Sequence, residues 1–303
     1  MSTAAIPGAP LPVRTPGSRA RGRHRRPERP EVPVGASPLI LAVPAEATPE
    51  TAAVVDELIS VIRGEQPGIE MLAGWLPSAS AEQDEQGAAA PTVADLIVRA
   101  AEAGLPAPVI LPLVTGPHDS LAALHELAAE SGAVVTEPLG PHPLLAEAVH
   151  VRLSEAGLAR ADRARLFAIA TAADGVVLTT VGGEEAAAAA GVTGVLLAAR
   201  LAVPVVAAAL DVPGSVAAAV EHLRATGSQR PALAPLVIGP EASGELLLAA
   251  AEETECPSAA PLGAYPTISQ LIASVYLAAL PAPTEPDPVA EGPQLPEEPA
   301  DEA

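Results

Sequence analysis

The sequence predicts an α/β protein of two tandem Rossmann-like units, each with a parallel sheet of about four strands flanked by helices. Three observations predict it. Short β-branched runs alternate with longer amphipathic Ala/Leu/Glu segments, as in parallel βαβ units. The whole series occurs twice at a near-constant spacing. The apolar residues, 49% of the 303, are almost entirely Ala, Val, Leu and Ile, with aromatic residues at 1%, so closely packed aliphatic cores are implied.

In the first unit the strand candidates are 39–43, 69–74, 109–114 and 133–136. Between and after them, 49–63, 93–102, 120–130 and 144–155 carry helical spacing. The second unit repeats the order, with strands near 176–181, 205–209 and 232–238 and a weak one around 258–261. Its helices lie near 184–201, 215–225, 242–252 and 267–280.

Direct sequence repeats tie the two sets together. Pro112-Leu-Val-Thr-Gly-Pro-His118 recurs as Pro235-Leu-Val-Ile-Gly-Pro-Glu241, and Pro138-Leu-Gly-Pro-His-Pro143 as Pro261-Leu-Gly-Ala-Tyr-Pro266, both at an offset of 123. Upstream, Pro38 pairs with Gly175 and Pro67 with Pro204 at an offset of 137, so the first copy holds 14 extra residues, which fit the polar segment 78–91. The expected organisation is an Arg/Pro-rich disordered tail over 1–36, similar domains over 37–158 and 159–280, and an acidic Pro/Glu-rich tail over 281–303.

Charge and cysteine usage remove several function classes. All 16 basic residues are arginine, seven of them in the first tail, and the folded part carries nine arginines against 28 acidic residues. That balance, with so few aromatic residues for base stacking, argues against nucleic acid as a partner despite the Arg-rich tail. No Gly-x-Gly-x-x-Gly follows a strand, and without lysine no phosphate loop of the Gly-Lys type exists. The single Cys256 excludes an intramolecular disulfide framework and any multi-cysteine metal site. With no leader-like or membrane-spanning apolar run, the chain reads as cytoplasmic, with no membrane partner.

Ligands of parallel sheets bind at the carboxyl ends of strands. Those ends read Pro44-Ala45-Glu46, Thr115-Gly116-Pro117-His118, Gly182-Gly183-Glu184 and Gly239-Pro240-Glu241. His118 stands out, because a neutral imidazole can accept a proton near pH 7 or hold a transition metal. The plain alternative is a histidine that caps the helix beginning near Asp119. His125 lies seven residues further on, too far along the helix to share one ion with it. Gly182 and Gly183 are either an anion-binding turn at a helix start or simply a tight turn.

The segment 38–77, with its Leu-Ile-Leu strand, Thr-Pro-Glu helix start and Gln66-Pro67-Gly68-Ile69-Glu70, resembles the opening of class II tetrapyrrole chelatases. The Gly116-Pro-His118 turn and the Pro138 to Pro143 element resemble that family's second-histidine loop and closing motif. The resemblance spans about 38–280 and implies two similar α/β domains facing across a cleft. The implied reaction inserts cobalt or iron into sirohydrochlorin, for cobalamin or sirohaem synthesis. It assigns His118 as metal ligand and proton acceptor. Gly116 of the same turn, and Gly182 and Gly183 at their helix start, are the candidate substrate-binding positions. The divalent metal is then a substrate, the partner is a tetrapyrrole, and no tightly bound cofactor is expected.

The family's first strand ends in His-Gly-Ser, whereas this chain has Pro44-Ala45-Glu46, leaving Glu46 as the oxygen donor available for catalysis and metal binding. Arg63 and Arg99 are the first-copy arginines that could offset the acidic body toward a polycarboxylate. The second reading is a relative that binds a tetrapyrrole, a metal or a partner protein without inserting anything. The choice of metal and the oligomeric state stay open.

Overall fold

The computed structural model describes residues 32–76, 90–159 and 173–281. The expected tails, apart from 32–36 and Pro281, and most of the extra segment 78–91 lie outside the described residues.

The first sheet is parallel, in the order β2-β1-β3-β4, from β1 (Leu39–Val43), β2 (Met71–Trp75), β3 (Val109–Pro112) and β4 (Val134–Val135). The second repeats it as β6-β5-β7, from β5 (Gly175–Thr180), β6 (Val205–Ala209) and β7 (Pro231–Pro235). Its fourth strand is reduced to one bridge, Leu233 to Ser258. Pro257 and Pro261 bracket Ser258 and have no amide to donate, so only the Leu233 and Ala259 amides complete the rung.

The helices are α1 (Pro49–Glu65), α2 (Val93–Glu102), α3 (Ser120–Ser131), α4 (Pro143–Glu155), α5 (Gly183–Leu201), α6 (Ser215–Ala225), α7 (Gly244–Thr254) and α8 (Pro266–Ala279). Local chemistry sets their starts. Thr48 accepts the Thr51 amide and Thr92 the Asp95 amide, each in a reciprocal capping box, and Pro49, Pro143 and Pro266 open their helices.

Strand alternation sorts the core into layers. Leu39, Leu41 and Val43 of β1 join Val176 and Leu178 of β5 in one apolar cluster shared by the two halves, together with α1, α4, α5 and α8. Ile40 and Ala42 point the other way, under α2 and α3, while Val177 and Ala208 lie under α6 and α7.

Two helices are exchanged between the halves. α4, which follows the first sheet, packs on α5 and β7, and α8, which follows the second, packs on α1 and β3. Arg152 of α4 donates through Nε and Nη2 to Leu262 O at 3.2 and 2.8 Å and stacks 4.6 Å above the Tyr265 ring. Tyr265 hydrogen-bonds Glu155, and Tyr276 of α8 donates to Ser37 O at 2.7 Å. The second copy of the repeated Pro-Leu-Gly motif is therefore a docking element for α4.

Candidate functional site at the carboxyl ends of the strands

The repeated turns after β3 and β7 meet each other. Thr115, buried, donates its hydroxyl to Leu236 O at 2.6 Å, across 121 residues of sequence. The turn after β5 closes on the same place, because a Cβ at Gly182 would sit 2.2 Å from Pro117 O. Gly182 has φ +108°, a conformation glycine adopts without cost. His118 thus follows a loop held from both sides by the second half.

His118 is half-buried. Its Nδ1 lies 2.8 Å from Ser120 Oγ and accepts the Ser120 amide at 3.2 Å. The ring therefore also serves as the cap of α3, whose preceding residue Asp119 makes no side-chain cap bond. His142 does the same for α4, accepting the Leu144 amide. With Nδ1 an acceptor, the neutral ring carries its proton on Nε2. The Ser120 hydroxyl can also accept, which allows the tautomer with a bare Nε2. Burial pushes the His118 pKa below its ordinary value, while Asp119 and Asp211 pull it back up.

Glu46 is exposed at the end of β1, and its backbone carbonyl is fixed by the Thr51 hydroxyl at 2.6 Å and the Thr48 amide at 2.9 Å. Gly116 is buried next to His118, and a Cβ there would meet nothing within 4 Å. Among the described residues no group of three or more His, Cys, Asp or Glu side chains is arranged to hold a metal ion.

Gly182 and Gly183 form the tight turn at the start of α5. Both amides donate to the Asp211 carboxylate, Gly182 N to Oδ2 at 2.8 Å and Gly183 N to Oδ1 and Oδ2 at 3.2 and 3.0 Å. The helix-start anion position is filled by the chain's own acid. Asp211, two residues beyond β6, is the residue that sequence reading missed. Its position after a strand was the available signal, but nothing in the local pattern shows that it turns back to the β5 loop.

Glu241, which stands where His118 stands in the first copy, is likewise turned onto its own backbone. Its carboxylate accepts the Ile238 and Gly239 amides at 2.5 and 2.9 Å, and burial pushes its pKa up to about 7 against the pull of those amides. Of the two first-copy arginines, Arg63 donates to Met71 O at the amino end of β2, the opposite edge from His118, and Arg99 is exposed on the last turn of α2. His125 is exposed on α3.

A cleft of about 350 Å³ lies elsewhere, bordered by Leu158, Arg224, Arg230, Pro231 and Cys256. It sits at the amino end of β7, the edge where parallel sheets do not bind ligands, and its arginines pair with Glu221 and Asp174. No described helix is long and apolar enough to cross a membrane.

No protein-family model matches the sequence, and no curated protein matches it. Solved structures do. The sirohydrochlorin chelatase SirB from Bacillus subtilis subspecies spizizenii in complex with cobalt matches with TM-score 0.55 and 10% identity, over 80% of this chain and 94% of that one. SirB from Bacillus subtilis with Fe3+ matches with TM-score 0.56 and 13% identity, over 79% of this chain and 94% of that one. At these identities the likeness is one of architecture: the chain has the two-domain class II chelatase fold.

Proposed function

We propose that this protein is a cytoplasmic chelatase-like enzyme that binds a sirohydrochlorin-type tetrapyrrole at the carboxyl edge of its strands and inserts a divalent metal, cobalt or iron. The observation that carries the reading is a half-buried imidazole, lowered in pKa by burial, on a loop clamped between the two halves of a chelatase fold. Metal insertion requires removal of two pyrrole N–H protons and a ligand that hands over the ion as its water is lost. His118 suits both tasks in the tautomer in which Nδ1–H donates to Ser120 Oγ and gives up the Ser120 amide, which leaves Nε2 as acceptor or ligand. Glu46 is the carboxylate at the end of the neighbouring strand and supplies an oxygen donor.

The deciding measurement is anaerobic insertion of Co²⁺ or Fe²⁺ into sirohydrochlorin, followed by absorbance, for the wild type and His118→Ala. The expected result is insertion above the uncatalysed rate, reduced at least about 100-fold in the variant, within the range of a general base. Equal rates for the two proteins would remove His118 from the mechanism.

A second reading, a relative that binds tetrapyrrole without inserting metal, is favoured by the lack of a three-ligand group among the described residues and by Pro44 at the end of β1. It predicts tetrapyrrole binding with no acceleration by either metal.

A further inference from the structure

Gly182 and Gly183 are successive residues at positive φ, +108° and +71°, and Gly182 gives α5 no side-chain cap. A backbone without side chains at such a point has many conformations open to it. One carboxylate oxygen holds it in place: Asp211 Oδ2 accepts the Gly182 amide at 2.8 Å and the Gly183 amide at 3.0 Å. Two successive amides that converge on one acceptor form an anion nest, and here the exposed Asp211 fills it. Asp211 is itself well fixed. The Leu210 amide donates to Thr180 O at 2.7 Å, which ties the end of β6 to the end of β5. Ser215 accepts the Ala209 amide and donates its own amide to Val212 O, both at 3.1 Å.

We propose that Asp211 is a positioning residue for His118: by holding the Gly182-Gly183 turn it keeps Gly182 against Pro117 and so sets where the imidazole stands. The inference rests on the reading of His118 as the reactive group of a chelatase-like site. The contact falls on a sensitive atom, because a Cβ at Gly182 would lie 2.2 Å from Pro117 O. That oxygen belongs to the planar peptide group that ends at His118 N and Cα, so a wall against it fixes the plane from which the side chain departs. Upstream the loop is already tied, by the Thr115 hydroxyl to Leu236 O and by the Leu139 amide to Val114 O at 3.0 Å. A Gly-Gly turn released from Asp211 would leave the Pro117 carbonyl free to move toward α5, and His118 would move with it.

Asp211 acts here as an acceptor. Since Oδ2 alone takes both amides, Asn at this position presents one carbonyl oxygen in the same place and keeps both bonds, whereas Ala keeps neither. The charge is a separate contribution, one that opposes the effect of burial on His118. Asp174 is the matched comparison. Its carboxylate also accepts two successive amides, from Gln229 at 3.0 Å and Arg230 at 2.8 Å, but beside the start of β7, at the edge of the sheet opposite His118.

Heteronuclear NMR of the imidazoles in the full chain tests it, at about pH 9, where ordinary histidines are neutral and the loss of a nearby charge does not change their protonation. The His118 Cε1–Hε1 signal is assigned by its absence in His118→Ala. Asp211→Ala should shift or broaden that signal, Asp211→Asn should restore it, and Asp174→Ala should leave it in place. Circular dichroism checks the fold of each variant, and because Asp211 is exposed its truncation opens no cavity. Metal insertion into sirohydrochlorin is the second readout: kcat at least about tenfold lower in Asp211→Ala, with KM changed less than about threefold, and most of the loss recovered in Asp211→Asn. An unmoved His118 signal or an unchanged kcat in Asp211→Ala, an Asn variant as impaired as the Ala variant, or an equal effect of Asp174→Ala would each overturn the proposal. If the NMR pattern holds but the wild type inserts no metal, the chelatase reading fails and the clamp on His118 stands.

Discussion

Gly182→Ala is the substitution that most directly probes how the His118 loop is held. The new Cβ would lie 2.2 Å from Pro117 O and 3.0 Å from Ala186 Cβ, more than 1 Å inside an ordinary contact with the carbonyl oxygen. The loop has little room to retreat, because Thr115 upstream is bonded to Leu236 O and His118 downstream is bonded to Ser120. Overpacking of this kind costs about 1–3 kcal/mol. The backbone at φ +108° adds about 1–2 kcal/mol for a residue with a Cβ. Gly183→Ala is the matched control: φ is also positive, +71°, but its Cβ would meet nothing within 4 Å, so only the backbone cost applies. Alanine restricts the unfolded chain equally at both positions, and that contribution cancels in the comparison. Urea unfolding followed by circular dichroism should show Gly182→Ala less stable than Gly183→Ala by about 1–3 kcal/mol. The same variant should impair whatever activity depends on His118 more than the control does. Equal stability of the two variants would mean that the β5 turn does not press on the His118 loop, and the clamped-site reasoning would fail with it.

Two further outcomes follow from the same geometry. Glu241 has a folded pKa raised to about 7 from 4.5, so the folded state holds the extra proton between those values and stability falls as pH rises through that window, by up to about 3 kcal/mol. Denaturation midpoints between pH 4 and 8 should show this decline, and Glu241→Gln should flatten it; an unchanged slope in the variant would assign the decline to another group. A fragment of residues 37–158 lacks α8 and leaves the α4 face that packs on β7 uncovered, so by fluorescence and heteronuclear NMR it should be unfolded or self-associated. A well-dispersed monomeric spectrum would show that the helix exchange is dispensable.

The fold was legible because its signals are local and periodic. A fully apolar run such as Leu39 to Val43 has one reading in a parallel sheet, and the 123-residue repeat identified the second half from the first. Strand ends were less legible. β3 and β7 stop at the equivalent Pro112 and Pro235 rather than running on to Val114 and Ile238, and beyond Pro235 the Leu236 carbonyl is bonded to Thr115, a partner 121 residues away. The exchange of α4 and α8 was invisible for a related reason: both helices carry an apolar face, and periodicity records that a face is buried without recording against which sheet. His118 and its loop were singled out from strand-end position and repeat alignment. Asp211 and Arg152 were not, since each acts through tertiary contacts with Gly182, Gly183 and Leu262 that no spacing in the chain encodes.

The asymmetry of the two halves bears most directly on function. In the second half, the carboxylates of Asp211 and Glu241 at this edge are bound to main-chain amides, Asp211 to Gly182 and Gly183, and Glu241 to Ile238 and Gly239. Such bonds stiffen the turns and remove these acids from the groups ready to bind a metal. They also offset the negative charge of Asp211 with amide dipoles in an otherwise acidic body. In the first half, His118 and the Glu46 side chain stand at strand ends with no main-chain amide on their functional atoms: Nε2 of His118 is not used by its cap, and only the backbone of Glu46 is fixed. The duplicated frame thus divides into stiffened turns in the second half and, in the first, strand ends whose Glu46 carboxylate and His118 Nε2 are left clear of these bonds. Pro117, pressed against Gly182, sets where His118 stands, and the proposed chemistry depends on that placement.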